Sequence, residues 1–435
     1  LVQNLAEGVL FGDVRYGWNL EAGLETVTAG EVKRVAAIYL AANNGKTLII
    51  LPKRESQPSQ EERDKVAQAV ADLGPAAAIP DFAATLHVPG KGAGLAPRPE
   101  TKSVSTSRYV LPNGMVLLVK PVQGPGIVAA SLQVRAGSAF DPEGKEGLGQ
   151  MVASALALET KSITGKDFRQ RTAAIGSTFG ITASRETVEA GLTVFPENLG
   201  EALTLLARPI LEPAFPEEQM AAVRDRILRS GKARSLSPEE TVRELVREKI
   251  YRGHPYGRTP LGTEATLSSI TRADMETFHR RHYRPERAVL TLTGDVGAGE
   301  GRRLAAEAFG SWTAPAGEKA PPELPEGATK EALAGEFSRV VDRIPAAVAI
   351  GFPAVPLRDP EFPLVRALGA LLSTRGTLDL VLSQPMAHAV AAVPEGLSRG
   401  GILFVEASTP PSETAKVAYE MLLQARTLGV KEVTA

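Results

Sequence analysis

Three side chains in the second half of the chain have types and spacing that could bind a metal ion. Glu276, His279 and His282 stand at positions i, i+3 and i+6 of one helical segment, and carboxylate and imidazole groups are common zinc ligands. The adjacent Arg280 and Arg281 would oppose a cation. We therefore expect a structural helix here, with an unrecognised hydrolytic metal site as the alternative.

Composition excludes several other functions. The chain has no cysteine, which rules out disulfides and thiolate chemistry. Its 49 Lys and Arg balance 50 Asp and Glu, so no basic field points to nucleic acid or an anionic membrane. No phosphate-binding Gly-rich loop or G-x-S-x-G elbow occurs. No apolar run of about 18 residues predicts a membrane span.

The strongest pattern lies in an apolar helix and the strands before it. Leu-Pro-Asn-Gly at 111–114 precedes a strand-like run ending in Ala-Gly-Ser at 136–138, and Gly-Leu-Gly-Gln at 147–150 then opens the helix. This order resembles the pitrilysin/insulinase/mitochondrial processing peptidase family of zinc metallopeptidases (inverzincins). The resemblance covers nearly the whole chain and is strongest from 108 to 297. By composition alone, the helix reads as a buried core helix.

The resemblance implies that the zinc motif of this region is degenerate. In active relatives the helix carries H-x-x-E-H, whose two His bind zinc and whose Glu activates water. The matching positions are Gln150, Ala153 and Ser154, and the third ligand corresponds to Ser230. Amide and hydroxyl groups replace imidazole poorly, and a methyl group cannot accept a proton. We expect no catalytic residue and no metal here, with zinc in a catalytic domain outside this chain.

The implied fold is α+β, with tandem homologous domains of the LuxS/processing-peptidase-like metallopeptidase type. Each domain would be an antiparallel-rich β-sheet backed by helices. An internal repeat supports this, since the helix-plus-strand unit that begins at Thr28 recurs at Thr271, about 243 residues later.

These features predict a piece of a longer protein with five segments. Residues 1–53 would be the C-terminal end of an upstream family domain, and 54–107 a linker or hinge. Residues 108–297 would form the central domain with the degenerate motif, and 298–324 a second linker. Residues 325–435 would form the following domain, truncated at its C-terminus.

One further helix has clear boundary signals. Ser237 is the expected N-cap, Pro238 the first helical residue and Gly253 the stop. Its acidic and basic side chains intermix at helical spacing, which predicts a solvated face rather than a carboxylate site. These side chains are Glu239, Glu240, Arg243, Glu244, Arg247, Glu248 and Lys249.

Two segments correspond to substrate-binding parts of the resembled family. The edge-strand-like run Phe179, Gly180, Ile181, Thr182 and Ala183 matches a strand that binds substrate peptide by β-augmentation. An ordinary sheet edge is the alternative. The family's Arg and Tyr that hold the substrate backbone correspond to Ser383 and His388, so this second constellation also looks degenerate.

The function implied is that of a non-catalytic half of a pitrilysin-like zinc metalloendopeptidase. It would form a wall of the peptide-binding chamber and hold peptides or unfolded protein substrate for a catalytic family domain in the same chain or a partner subunit. The alternative is a wholly non-catalytic binding or scaffold subunit that pairs with a catalytic partner. Neither nucleic acid nor a membrane span is expected. A periplasmic location is a guess that rests on the resemblance alone.

Overall fold

The structure, a computed structural model, describes residues 27–40, 46–52, 105–122, 124, 126–327, 335–341 and 345–430. The chain forms two compact units. Among the described residues, those between 105 and 233 and between 253 and 326 form the first unit, and those between 27 and 52, 234 and 252, and 327 and 430 form the second. No helix within the described ranges is long and apolar enough to cross a membrane. Most of the expected linker at 54–107 lies outside the described residues.

Helices and strands are interspersed along the chain. The helices are α1 (Ala29–Tyr39), α2 (Leu148–Leu156), α3 (Gly165–Ala174), α4 (Leu199–Leu211), α5 (Glu217–Ser235), α6 (Pro238–Ile250), α7 (Glu264–Ser269), α8 (Arg272–His282), α9 (Ala298–Phe309), α10 (Phe362–Gly376) and α11 (Thr414–Val430). The strands are β1 (Lys46–Pro52), β2 (Ser107–Val110), β3 (Val116–Pro121), β4 (Val128–Val134), β5 (Gly180–Ala183), β6 (Val188–Val194), β7 (Ala288–Gly294), β8 (Gly335–Val341), β9 (Ala346–Ala354), β10 (Ala389–Leu397) and β11 (Gly400–Thr409).

The first unit is built on a six-stranded sheet in the order β2-β3-β7-β4-β6-β5. Only β3 and β7 run parallel, and the other neighbours are antiparallel. Apolar residues of α2, α4 and α8 pack with this sheet in one hydrophobic core. Removal of this apolar surface from water is the main stabilising contribution.

The second unit repeats this topology with a five-stranded sheet in the order β10-β11-β9-β1-β8. Strand β1 runs parallel to β8 and antiparallel to β9, as β7 does with β3 and β4. The preceding helices correspond too, because α1 and α8 start at capping boxes formed by Thr28 with Glu31 and by Thr271 with Asp274. The predicted repeat and α+β fold are confirmed.

The structure divides the chain differently from the sequence-based boundaries. Helix α1 and strand β1, expected to close an upstream domain, complete the sheet of the second unit, where Arg34 pairs with Glu361 of that unit at 2.6 Å. Part of the expected 298–324 linker is helix α9, whose Phe309 is fully buried in the first core. These contacts join residues far apart in sequence, which local composition cannot reveal.

Helix α6 belongs to the second unit, whereas the sequence had grouped it with residues 108–297. Ser237 caps it as predicted, accepting a hydrogen bond from the Glu240 amide. The solvated-face prediction is wrong for Arg247, which is buried and pairs with Glu395 of β10 at an Nε–O distance of 3.0 Å. The helix packs close to β9 at Gly351, where an added Cβ would lie 2.2 Å from a Val246 methyl.

Candidate functional site

The start of α2 is fixed by glycines and one buried carboxylate. Gly147 precedes the helix with a φ of +95°, and an added Cβ there would lie 3.0 Å from the Leu261 oxygen. The Asp141 carboxylate accepts hydrogen bonds from the amides of Gly147 at 2.8 Å and Gly149 at 2.7 Å. These amides have no partner within the helix, so Asp141 positions the first turn of α2.

Burial raises the pKa of the Asp141 carboxyl to about 7, although the two amide hydrogen bonds oppose this shift. Sequence analysis missed this residue. The sequence feature that indicates its role is an acidic side chain shortly before a glycine-rich helix start, because acidic groups stabilise helix N-termini.

The Ala-Gly-Ser segment before α2 holds the turn that follows β5. The amides of Gly137, Ser138 and Ala139 donate to the carbonyl oxygens of Glu186, Ser184 and Arg185. A Cβ at Gly137 would lie 2.5 Å from the Arg185 main chain. This close approach needs glycine, and it fixes the β5–β6 hairpin relative to α2.

The positions that match the zinc motif lie on two sides of α2. Gln150 and Ser154 are half-buried on one face, and the Gln150 amide donates a hydrogen bond to the Ser154 hydroxyl at 3.3 Å. Ala153 is buried with Met151 and Val152 in the core of the first unit. Helix α2 is therefore a buried core helix that also carries a polar pair at two of the motif positions.

Helix α5 lies beside this face. The Arg226 guanidinium on α5 donates to the main-chain oxygen of Ser154 at 3.1 Å. Ser230 follows Arg226 by one helical turn, on the same side of α5, and is exposed.

The side chains at the four motif positions do not fit a zinc ion. They offer an amide, a methyl group and two hydroxyls, and a guanidinium lies next to them. Zinc sites in proteins use imidazole, thiolate or carboxylate ligands. Within the described ranges, no group of three or more His, Asp or Glu side chains is placed to hold a metal.

The alternative metal site on α8 is wrong. The His279 ring bonds the Ile210 carbonyl oxygen through Nε2 at 2.8 Å, and His282 packs between Phe140 and Phe278. Glu276 instead pairs with Arg272 at 2.8 Å. Burial lowers the pKa of His279 to about 4 and that of His282 to about 3. Both imidazoles are therefore neutral at pH 7, with His282 buried and His279 half-buried.

Strand β5 forms an edge of the first sheet. The side chains of Ile181 and Ala183 are half-buried against the core, while Gly180 and Thr182 are exposed. The Ser184 amide bonds the Thr187 oxygen at 2.8 Å, next to β5. Hydrogen-bonded pairs alternate along an antiparallel ladder, so the main-chain groups of Ile181 and Ala183 point away from β6. Phe179, just before β5, packs edge-on against Phe168, with the two ring centroids 5.3 Å apart.

The segment matched to the family's Arg and Tyr lies in the second unit. Residues Thr377–Ser383 form a π-helical turn after α10, and Ser383 and His388 are both exposed. The His388 amide donates to the Ser408 oxygen at 2.7 Å, and His388 immediately precedes β10. The correspondence with the family's Arg and Tyr stays a prediction.

Comparison with known proteins identifies the class. Residues 122–264 match the family model for insulinase (peptidase family M16), and residues 269–435 match the model for the peptidase M16 inactive domain. The chain belongs to the M16 family of peptidases, which confirms the resemblance inferred from the sequence.

Individual relatives agree with this family. An uncharacterized zinc protease of Mycobacterium leprae is 27% identical over 236 residues, which cover 54% of this chain and 53% of that protein. A probable mitochondrial-processing peptidase subunit beta of Arabidopsis thaliana is 27% identical over 198 residues, 46% of this chain and 36% of that protein. The chain spans about half the length of the bacterial relatives it matches.

Solved structures share the fold. A protease from Helicobacter pylori superposes with a TM-score of 0.67 at 20% identity, over 74% of this chain and 78% of that chain. Pitrilysin superposes with a TM-score of 0.61 at 19% identity, over 75% of this chain and 37% of its own. The architecture is therefore that of pitrilysin-like peptidases.

Proposed function

We propose that this chain is a non-catalytic half of a pitrilysin-like zinc metalloendopeptidase. It forms a wall of a peptide-binding chamber and holds extended peptide on β5. Zinc and the catalytic groups belong to another family domain, in the same protein or in a partner subunit. The observation that carries the proposal is the combination on one unit of a motif helix without zinc-type ligands and a sheet edge with outward-pointing main-chain groups.

The edges of the two sheets differ in a way that supports binding at β5. Strand β10 forms the corresponding edge of the second sheet, but it contains Pro394, which lacks an amide hydrogen. The Ala392 amide of β10 is also occupied, because it donates to the Ser373 hydroxyl at 2.7 Å. Strand β5 is only four residues long, but it has neither proline nor charge along its length, two of the features that commonly prevent strand addition.

Peptide binding can be tested with a fluorescein-labelled unstructured peptide and the whole chain in the presence of chelator. Fluorescence anisotropy should report binding without zinc. Ile181→Pro removes the amide at position 181 and should weaken affinity about tenfold or more. Ile181→Val keeps the amide and should bind nearly as the parent chain does.

The same assay can separate strand addition from other binding modes. Peptides that are N-methylated at alternate residues lose every second main-chain donor, so one of the two methylation registers should bind poorly. Equal affinity in both registers, together with an unaffected Ile181→Pro variant, would refute binding by β-augmentation. Binding to a catalytic family domain but to no peptide would favour the scaffold role instead.

A further inference from the structure

A cavity of about 610 Å³ opens beside β5 in the first unit. Ala157 and Leu158 at the end of α2, Phe168 on α3, and Phe179 and Ile181 at β5 supply its apolar wall. Its volume falls within the usual range of ligand pockets. The α8 histidines and Asp141 are not among its lining residues, so the cavity is distinct from those core features.

Ile181 connects the cavity to the free edge of β5. Its side chain lines the cavity, while its main-chain amide and carbonyl face away from β6. Residues directly opposite each other on neighbouring antiparallel strands place their side chains on the same face of the sheet. A peptide strand added to β5 would therefore direct the residue opposite Ile181 toward the cavity, and its two neighbours toward the other face.

The cavity is positively charged at its rim. Arg169 of α3 and Arg226 of α5 line it and are exposed, and the lining residues identified in the described part of the chain include no Asp or Glu. The Ser154 main-chain oxygen holds Arg226 in place at 3.1 Å. The hydroxyl of Ser177, another lining residue, has no hydrogen-bond partner among the described residues. These groups would attract a carboxylate, because guanidinium–carboxylate hydrogen bonds are strong.

We propose that this cavity is a side-chain subsite for an apolar residue of a strand bound at β5, and that the preferred peptide carries a carboxylate within two residues of that side chain. The inference rests on the proposed function and adds a substrate class to it. The ligand would be an extended peptide in which a Glu or Asp lies within two residues of a Leu or Phe. Active relatives bind a cation at the motif positions. In this chain arginines lie beside those positions, so this surface would bind an anion.

A peptide matrix tests the subsite with the whole chain. Labelled peptides carry Leu or Ser at a central position and Glu, Gln or Lys two residues later. We expect Leu peptides to bind about tenfold more tightly than Ser peptides, since burial of several methylene groups is lost with Ser. Glu peptides should bind better than Lys peptides, with a difference that shrinks as salt is added.

Variants separate the two contributions. Ala157→Phe fills the cavity and should remove the Leu preference while leaving the alternate N-methylation effect intact. Arg169→Gln combined with Arg226→Gln should remove the Glu preference and keep the Leu preference. Arg229→Gln is the matched control, because Arg229 is an exposed arginine of the same helix that does not line the cavity.

The outcomes distinguish the subsite from the proposed function. If Ile181→Pro weakens all peptides but Leu and Ser peptides bind equally, the strand site stands and the subsite is refuted. If Leu peptides bind and Ile181→Pro has no effect, the cavity binds side chains without strand addition, and the combined proposal is refuted. Absence of binding by every peptide refutes both.

Discussion

The side-chain amide of Gln150 donates a hydrogen bond to the hydroxyl of Ser154, one helical turn further along α2, at 3.3 Å. Residues separated by four positions on a helix share a face, which is why this spacing serves two zinc-binding histidines in active relatives. Here the two groups are hydrogen-bonded to each other, and the neighbouring cation is Arg226.

The first prediction concerns metal binding at this face. We expect the parent chain to purify with less than about 0.1 equivalent of zinc, because its donors are an amide and a hydroxyl. The variant Gln150→His, Ser154→His, Ser230→Glu should gain zinc and a melting temperature that falls on addition of chelator. Zinc content by mass spectrometry and thermal unfolding measure both effects. Tight stoichiometric zinc in the parent chain would contradict the degenerate-site interpretation.

The second prediction follows from the buried histidines of α8. Their folded-state pKa values, about 4 for His279 and about 3 for His282, lie below the ordinary value of 6.5. The unfolded chain therefore takes up these protons more readily, and the stability that the neutral imidazoles contribute is lost as pH falls below about 6.5.

His282→Phe should reduce this acid sensitivity. His282 packs on Phe140 and Phe278, and its Nδ1 has no partner among the described residues. We expect the variant to gain about 1 kcal/mol at pH 5 relative to the parent and less at pH 8. Urea unfolding followed by Trp312 fluorescence in a Trp18→Phe background gives the comparison. An equal effect at both pH values would show that His282 does not titrate on unfolding.

The third prediction concerns Asp141, whose pH dependence has the opposite sign. Its folded-state pKa of about 7 exceeds the ordinary value of 3.8, so the folded chain keeps this proton up to a higher pH than the unfolded chain does. Its contribution to stability therefore decreases as pH rises from about 4 to about 7.

Asp141→Asn should remove this slope and also weaken the start of α2. The Asn amide nitrogen cannot accept a hydrogen bond, so one of the two bonds to Gly147 and Gly149 is lost. We expect a loss of about 1–3 kcal/mol at pH 5 and a smaller loss at pH 8. Unfolding in urea at both values measures it, with Glu143→Gln as an exposed control from the same loop. A larger loss at pH 8 than at pH 5 would mean that the carboxylate form is favoured by folding.

The fourth prediction concerns the pair formed by buried Arg247 and half-buried Glu395. Removing one partner leaves the other charge uncompensated, whereas replacing both removes the desolvation cost as well. Arg247→Met should destabilise the second unit by about 1–3 kcal/mol, because the remaining Glu395 is partly solvated, and Arg247→Met with Glu395→Leu should recover most of that loss. Hydrogen exchange of the β10–β11 amides reports on this unit. A double variant no more stable than Arg247→Met would indicate that the pair contributes net stability.

Local signals predicted the local features of this fold. The Ser237 cap and the helix starts at Thr28 and Thr271 follow from residues within one helical turn, and the structure confirms them. The α6 arginines were misinterpreted because their partners, Glu395 and Glu406, lie about 150 residues away. An Arg with intermixed Glu neighbours looks the same in sequence whether its partner is in the same helix or in a distant strand.

The candidate site shows the same division. The resemblance located Gln150, Ala153, Ser154 and the β5 edge, since these depend on motif spacing. It did not reveal that Ala153 faces the core, that Asp141 anchors the helix, or that Arg226 contacts Ser154. Each of these depends on how helices and loops pack, which spacing along one helix does not determine.

The position of β1 between β8 and β9 has a consequence for biosynthesis. Lys46 pairs with Gly335 and Gly351, so this interior strand of the second sheet must wait for nearly 300 further residues before its partners exist. The strands of the first unit within the described ranges lie between 107 and 294, so this unit can assemble earlier on the ribosome. Contacts of such large sequence separation form slowly, so a half-made chain carries an orphan strand that a chaperone, or a like strand from another nascent chain, could capture.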